Sequence, residues 1–241
     1  MILSYMEVGD FMSAAIRILS AGAPKQGIGS CVRYFTDKTG CMVDITFAPA
    51  PVLRERVEKG KAAADLLVAP VALISDCRAA GYVLRGKDVV VGSVTAGIAV
   101  RDDVAPPDIS SVEAVKAALL AADGVFYNTA SSGIHIVKLL DHLGIADRIE
   151  SKVERFPTGA DVMVRLAEGK AACEIGFGQI TEIRRFEGAG VLLVGPLPAE
   201  IGKTTTYAAG LLAGATEPAQ ALLAFMGSAE ARQIYAEAGL E

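Results

Sequence analysis

The chain has 241 residues, of which 52% are hydrophobic and 21% charged, with 25 glycines and no tryptophan. Enough apolar surface is present for one large core or two modest ones, which excludes a disordered or fibrous polypeptide. The 28 acidic and 23 basic residues give a net charge of -5. No five-residue window is dominated by Lys or Arg, so nucleic acid is not an expected partner, because phosphate binding rests on clustered cations.

The longest stretch without Asp, Glu, Lys or Arg is the 14 residues Gly124–Val137. A membrane span needs ~20 apolar residues, so no membrane insertion is expected. The opening residues through Met12 carry no Lys or Arg before their apolar part, and Glu7 and Asp10 interrupt them. That pattern predicts no export signal and a cytoplasmic chain; a leader already removed, or a start misplaced upstream of Met12, makes the chain periplasmic. Cys31, Cys41, Cys77 and Cys173 show no C-x-x-C spacing and are expected as reduced thiols, with a Cys31–Cys41 disulfide as the lesser alternative. With His135 and His142 the only histidines, neither a metal centre nor a cofactor is expected.

In chain order, apolar β-branched runs alternate with stretches of helical period, the pattern of α/β architecture with mainly parallel strands. A strand is predicted from Ile16 to Gly22 and a helix from Lys25 to Thr39, ended by Gly40. Strand Met42–Ala48, helix Val52–Gly60, strand Leu66–Ala69 and helix Val71–Ala80 follow. Asp88 to Arg101 is an apolar β-run about twice the ordinary strand length of ~5–6 residues, the form of a crossing between two lobes.

Beyond Pro106-Pro107-Asp108 the pattern restarts. Ser110 or Ser111 caps a helix to Ala122, Gly124–Asn128 is a strand, and Ser131 or Ser132 caps a helix through His142. Strand Val153–Phe156, helix Thr158–Glu168, strand Ala172–Phe177, helix Gln179–Phe186 and strand Val191–Leu197 come next. A second long β-run, Thr204–Leu212, precedes the final helices Pro218–Met226 and Ala229–Ala238. The run Thr204-Thr205-Thr206-Tyr207 reads as exposed crossover, with cleft contact as the alternative. Two lobes are therefore expected: 14–98 with 205–241, and 99–204.

The segment YFTDKTGCMVDITFAPAPVLRERVEKGKAAADLLVAP (Tyr34–Pro70), the run SSGIHIVKLLDHLGI and the end FMGSAEARQIYAEAGLE together resemble the type II periplasmic solute-binding fold, in its molybdate-binding, ModA-like branch. The likeness covers nearly the whole chain. It implies two α/β lobes joined by two β-crossovers, with a ligand in the cleft between them. Helix N-termini lining such a cleft bring uncapped N–H groups and the positive ends of helix dipoles to an anion.

The candidate ligand contacts are Gly22, Ala23, Pro24 and Lys25 after the first strand and Ala50 after the second. The second lobe offers Thr129, Ser131, Ser132, Thr158, Gly159 and Phe177. In ModA-like proteins the first two of these loops supply serine hydroxyls and the 177–179 turn a tyrosine. Here those places read Ala23 or Pro24, Ala50 and Phe177. Each missing donor costs a buried oxyanion ~1–3 kcal/mol, so an organic carboxylate with an apolar body is expected in preference to molybdate.

Three kinds of function fit this reading. In the first, the chain is a solute receptor that closes on a small anion and, if exported, serves an ABC permease. In the second, it is a cytosolic isomerase or lyase acting on a carboxylic acid, with Lys25 or the helix ends holding the carboxylate and His135 moving protons; Asp161 and Cys173 are the other local groups able to do so. The third is a ligand sensor. Ser131 and Ser132 serve as well for helix caps, Lys25 for a surface lysine, and His142 for a residue stabilising the end of its helix.

Overall fold

The computed structural model describes residues 15–60 and 63–241. Residues 1–14, on which the expectation about export rests, and residues 61–62 lie outside the described set, as does the side chain of Ser131.

β1 (Ile16–Ser20) starts a parallel arrangement, paired on one side with β2 (Val43–Phe47) and on the other with β3 (Leu66–Pro70). α1 (Lys25–Thr39) links β1 to β2, and α2 (Ala50–Glu58) links β2 to β3. Leu66, Leu67, Val68 and Ala69 of β3 are all inaccessible to solvent, as expected of an apolar run covered on both faces of a parallel sheet. α3 (Val71–Ala79) follows without a linking loop.

β4 (Val83–Arg101) is 19 residues long and belongs to both halves of the molecule. Val83 to Thr95 pair antiparallel with β9 (Thr204–Leu212), whereas Ala96 to Arg101 pair with β7 (Glu174–Gln179) and β8 (Val191–Pro196). The complete strand order is β2-β1-β3-β9-β4-β7-β5-β6, with β8 also on β4. β5 is Gly124–Asn128 and β6 is Val153–Phe156. The strand begins five residues before the apolar run that predicts it. Arg85-Gly86-Lys87-Asp88 reads as a turn, and there the pairing with β9 shifts register while Gly86 takes a φ of 65°.

The buried cores divide along β4. One draws on residues 16–94 and 207–240, and two adjoining ones draw on residues 96–201. The chain thus forms two α/β lobes joined by the two strands β4 and β9. In the second lobe α4 (Val112–Ala121) is capped by Ser111, whose hydroxyl accepts from the Ala114 N–H at 3.1 Å. α5 is Ser131–His142, and α6 (Ala146–Ile149) with the turn Glu150–Lys152 is an element the sequence pattern does not announce. α7 is Gly159–Ala167. The helix expected from 179 to 186 is only the four-residue α8 (Ile180–Ile183) and a 3-10 turn, Arg184–Phe186. α9 (Glu217–Met226) and α10 (Ala229–Glu237) return to the first lobe, where α10 packs on α1. The chain end is tied down by paired backbone bonds between Glu241 and Ser93, at 2.6 and 3.0 Å.

All four cysteines are free thiols. Cys31, buried under α10, accepts a hydrogen bond from the Tyr235 hydroxyl at 3.3 Å, and burial pushes its thiol up to about 11. It is a core residue with little thiolate character.

Candidate functional site

In doubly wound α/β folds, ligands collect beyond the carboxyl ends of the strands, where helices begin. A cavity of about 180 Å³ lies there, between the lobes. Its first-lobe wall comes from the β1–α1 loop (Ala21, Gly22, Ala23, Lys25), the β2–α2 loop with Phe47 (Ala48, Pro49, Ala50) and Pro70. The second-lobe wall comes from the starts of α5, α7 and α8 (Asn128, Ala130 and Ser132; Thr158, Gly159 and Ala160; Gln179 and Glu182) together with Arg185, and Tyr207 enters from β9.

α1, α2, α3 and α5 have no side-chain cap on the N-cap residue itself and no acidic residue in the first turn. The first three begin at Pro24, Pro49 and Pro70, whose side chains offer no acceptor. Their positive dipole ends are therefore not neutralised by a capping side chain, although the Lys25 N–H that opens α1 is taken by the Gly22 carbonyl at 3.0 Å and Pro51 in the first turn of α2 has no N–H to offer. α5 is handled differently. Asn128, at the end of β5, turns its Oδ1 to accept from the Ala130 N–H at 2.9 Å, the Ser132 hydroxyl at 3.1 Å and the Gly133 N–H at 3.3 Å. The expected serine cap is thus displaced: Ser132 lies inside the helix as a partner of Asn128, because the asparagine reaches the same N–H groups from the preceding strand. α7 alone among these helices has a full capping box, between Thr158 and Asp161.

Two cations from opposite lobes line the cavity. Lys25 Nζ stands 4.9 Å from the centre of the Phe47 ring, a cation–π contact, and Arg185 approaches from the turn after α8. Neither has a carboxylate within ion-pair distance among the described residues. Among the described residues the single acid in the wall is Glu182, 8% exposed. Burial pushes its carboxyl above the ordinary range; Asp161 adds to the rise, while Arg185, the Ala160 N–H and Lys25 oppose it. Gln179 is 3% exposed, and its Oε1 has no hydrogen-bond partner. A buried polar atom left open inside a cavity waits for a ligand or a water.

Of the residues the sequence singles out, Gly22, Ala23, Lys25, Ala50, Ser132, Thr158 and Gly159 all line this cavity. Pro24, Thr129 and Phe177 do not. Pro24 is the N-cap of α1, Thr129 is exposed with its N–H on the Phe156 carbonyl, and Phe177 is buried in the second-lobe core. Ser131 opens α5. His135 lies outside the cavity, one turn along α5, with Nε2 3.1 Å from the Ile201 carbonyl oxygen. Burial lowers its pKa, Lys203 and Lys138 lower it further, and the Ile201 bond opposes. Cys173 is also elsewhere, and Asp161 is engaged in its capping box.

Glu182, Arg185, Tyr207 and Asn128 are among the lining residues that sequence reasoning missed. Glu182 and Arg185 fall in a segment that reads as an ordinary amphipathic helix. Tyr207, read as part of an exposed crossover, is 3% exposed, on a strand that is interior to the sheet, paired along one edge with β3 and along the other with β4. Burial and the facing Glu182 both push its phenol upward. Among the described residues, no group of three or more His, Cys, Asp or Glu could hold a metal ion, and no helix is long and apolar enough to cross a membrane.

The family model for bacterial extracellular solute-binding proteins matches residues 16–241. An aconitate isomerase from a Pseudomonas species is 27% identical over 233 residues, spanning 94% of this chain and 87% of that protein. Solved structures that share the fold include two anion-binding proteins. The sulfate-binding protein SubI from Mycobacterium tuberculosis gives a TM-score of 0.73 at 17% identity, over 94% of this chain and 86% of that one. The periplasmic molybdate-binding protein of Azotobacter vinelandii gives 0.72 at 17% identity, over 94% and 98%.

Proposed function

Because the chain belongs to the bacterial extracellular solute-binding protein family, we propose that its cleft closes on a small organic anion with more than one carboxylate, in preference to molybdate or sulfate. The observation that carries this reading is the wall itself. Lys25 and Arg185 face the cavity from opposite lobes, while the open Gln179 Oε1 is an acceptor that a fully ionised oxyanion cannot satisfy. A tetrahedral oxyanion has only acceptors, so every facing acceptor repels it. A carboxylic acid places its anionic ends on the cations and helix N-termini, its carbon stem on Ala23, Ala50, Pro49 and Phe47, and a protonated oxygen or C–H toward Glu182. The cavity, near 180 Å³, is below the ~300–1,000 Å³ of drug-sized sites, which suits a compact acid.

As a receptor, the protein hands this anion to an ABC permease. A second reading is favoured by one specific observation: a carboxyl group buried in the ligand cavity, in a chain related to an aconitate isomerase. On this reading the same cleft isomerises an unsaturated carboxylic acid. A thermal-shift screen of mono-, di- and tricarboxylates, with molybdate and sulfate as controls, tests the binding claim, since a ligand selective for the native state raises its melting temperature. Stabilisation by the oxyanions alone would refute it. NMR of any stabilising acid after incubation then separates receptor from enzyme: the acid is recovered unchanged or converted.

A further inference from the structure

Glu182 is the only carboxylate side chain in the cavity wall among the described residues. It stands on α8, the short element that also touches the first lobe, and its carboxylate is held between two glycines. A Cβ on Gly22 would lie 3.5 Å from Oε1, in ordinary contact. A Cβ on Gly159 would lie 2.1 Å from Oε2, so a side chain there would push the carboxylate out of its present place. Gly159 opens α7, so the absence of a side chain there lets the carboxylate lie against the start of that helix.

The other proton-moving groups the sequence offers are occupied or distant. His135 is bonded to the Ile201 carbonyl outside the cavity, and Asp161 is engaged with Thr158. The charged and titratable groups facing Glu182 are Arg185 beside it, Asp161 on α7, Lys25 on α1 and Tyr207 on β9.

Resting on the isomerase reading of the cleft, we propose that Glu182 is the catalytic proton carrier for an unsaturated di- or tricarboxylate. The Glu182 carboxylate removes a proton from the saturated carbon next to the double bond. The C–H electron pair becomes a new C=C, and the old π pair moves onto the substrate carboxylate as an enediolate. Lys25, Arg185 and the helix N-termini balance that added charge. As the pair returns, Glu182 delivers its proton to the far carbon of the original double bond. The double bond has then moved by one carbon, the geometry about it is reset, and Glu182 is again ionised. Neither an oxidant nor a cofactor enters the step. A buried carboxylate suits this task because desolvation makes it a stronger base than one in water.

The test uses the full chain, trans-aconitate and cis-aconitate as probes, calorimetry for binding, and proton NMR in D2O for exchange and interconversion. The expected result is that the wild type binds and converts the probes with solvent deuterium entering at carbon. Glu182→Gln should keep binding within about threefold and lose exchange and conversion together by ~10²–10⁴-fold. Conversion by Glu182→Gln within tenfold of wild type would overturn the role of Glu182 and leave the isomerase reading standing. Loss of probe binding in that variant would reassign Glu182 to binding and also overturn the proposal. A wild type that binds but neither exchanges nor converts the probes would end the isomerase reading and the proposal with it. Should the Gln variant not fold, Glu182→Asp is read in the same way: binding kept and conversion at least tenfold lower supports the proposal, and undiminished conversion contradicts it.

Discussion

The Thr181 hydroxyl donates to the Ala23 carbonyl oxygen at 2.8 Å, a buried hydrogen bond that ties the helix carrying Glu182 to the loop before α1. One residue on either side of it, Glu182 and Gly22 both line the cavity. The bond therefore fixes the spacing of the two walls. Thr181→Val keeps the side-chain shape and removes the donor, leaving the Ala23 carbonyl buried and unpaired. A loss of about 1–3 kcal/mol in stability is expected, read by urea unfolding, together with weaker carboxylate binding. An unchanged midpoint would show that the two lobes are held by other contacts.

Lys25→Ala should weaken binding of a stabilising carboxylate by about 1.5–3 kcal/mol, the range for a charge-assisted hydrogen bond. That corresponds to roughly a tenfold to hundredfold rise in Kd by calorimetry. Because Lys25 also rests on Phe47, Lys25→Arg retains both the charge and the ring contact and should recover part of the loss. Equal affinity in Lys25→Ala and wild type would remove Lys25 from the site.

Gly133 lies in the first turn of α5, where a Cβ would come within 1.4 Å of the Asn128 carbonyl oxygen. The start of α5 meets the end of β5 only because that atom is missing. Gly133→Ala forces the helix away, with an expected cost of at least ~1–3 kcal/mol and displacement of Ser132 from Asn128. Thermal unfolding together with carboxylate titration checks both effects. Wild-type behaviour in each would contradict the packing described.

Glu182 sets a pH dependence. Its folded pKa lies above the unfolded value of about 4.3, chiefly through burial. Below that unfolded value both states hold the proton, and its contribution to stability is fully present. As the pH rises, the unfolded chain releases the proton first, and stability falls until the pH passes the folded pKa; each unit of upward shift is worth about 1.4 kcal/mol. The melting temperature of wild type relative to Glu182→Gln should therefore decline between pH 4 and pH 8 without ligand. A constant difference would place Glu182 in contact with water.

The two-lobed fold was legible because its signals are local: β-branched runs, helical periods, and two β-runs long enough to span both halves. Even the short helix α6 and the early start of β4 escaped for local reasons, the first too brief to show a period and the second broken by Arg85-Gly86-Lys87-Asp88. The first-lobe wall was readable too, since Gly22, Ala23, Lys25 and Ala50 occupy the loops and first helical positions directly after strands. Glu182, Arg185 and Tyr207 were not. Their place in the cavity depends on how α8 packs against the first lobe and how β9 crosses between the lobes, and a charged residue in a four-residue helix carries no sequence mark of burial. His135 illustrates the converse: its helical position allowed a cleft-facing side chain, and the carbonyl of Ile201, 66 residues away in sequence, took it instead.

Isothermal titration of the full chain with cis-aconitate, trans-aconitate, molybdate and sulfate measures the central claim most directly. Saturable binding of a polycarboxylate, with a Kd raised by Lys25→Ala and no heat from either oxyanion, is the predicted result. Tight binding of molybdate or sulfate, with none of the carboxylates bound, would contradict it.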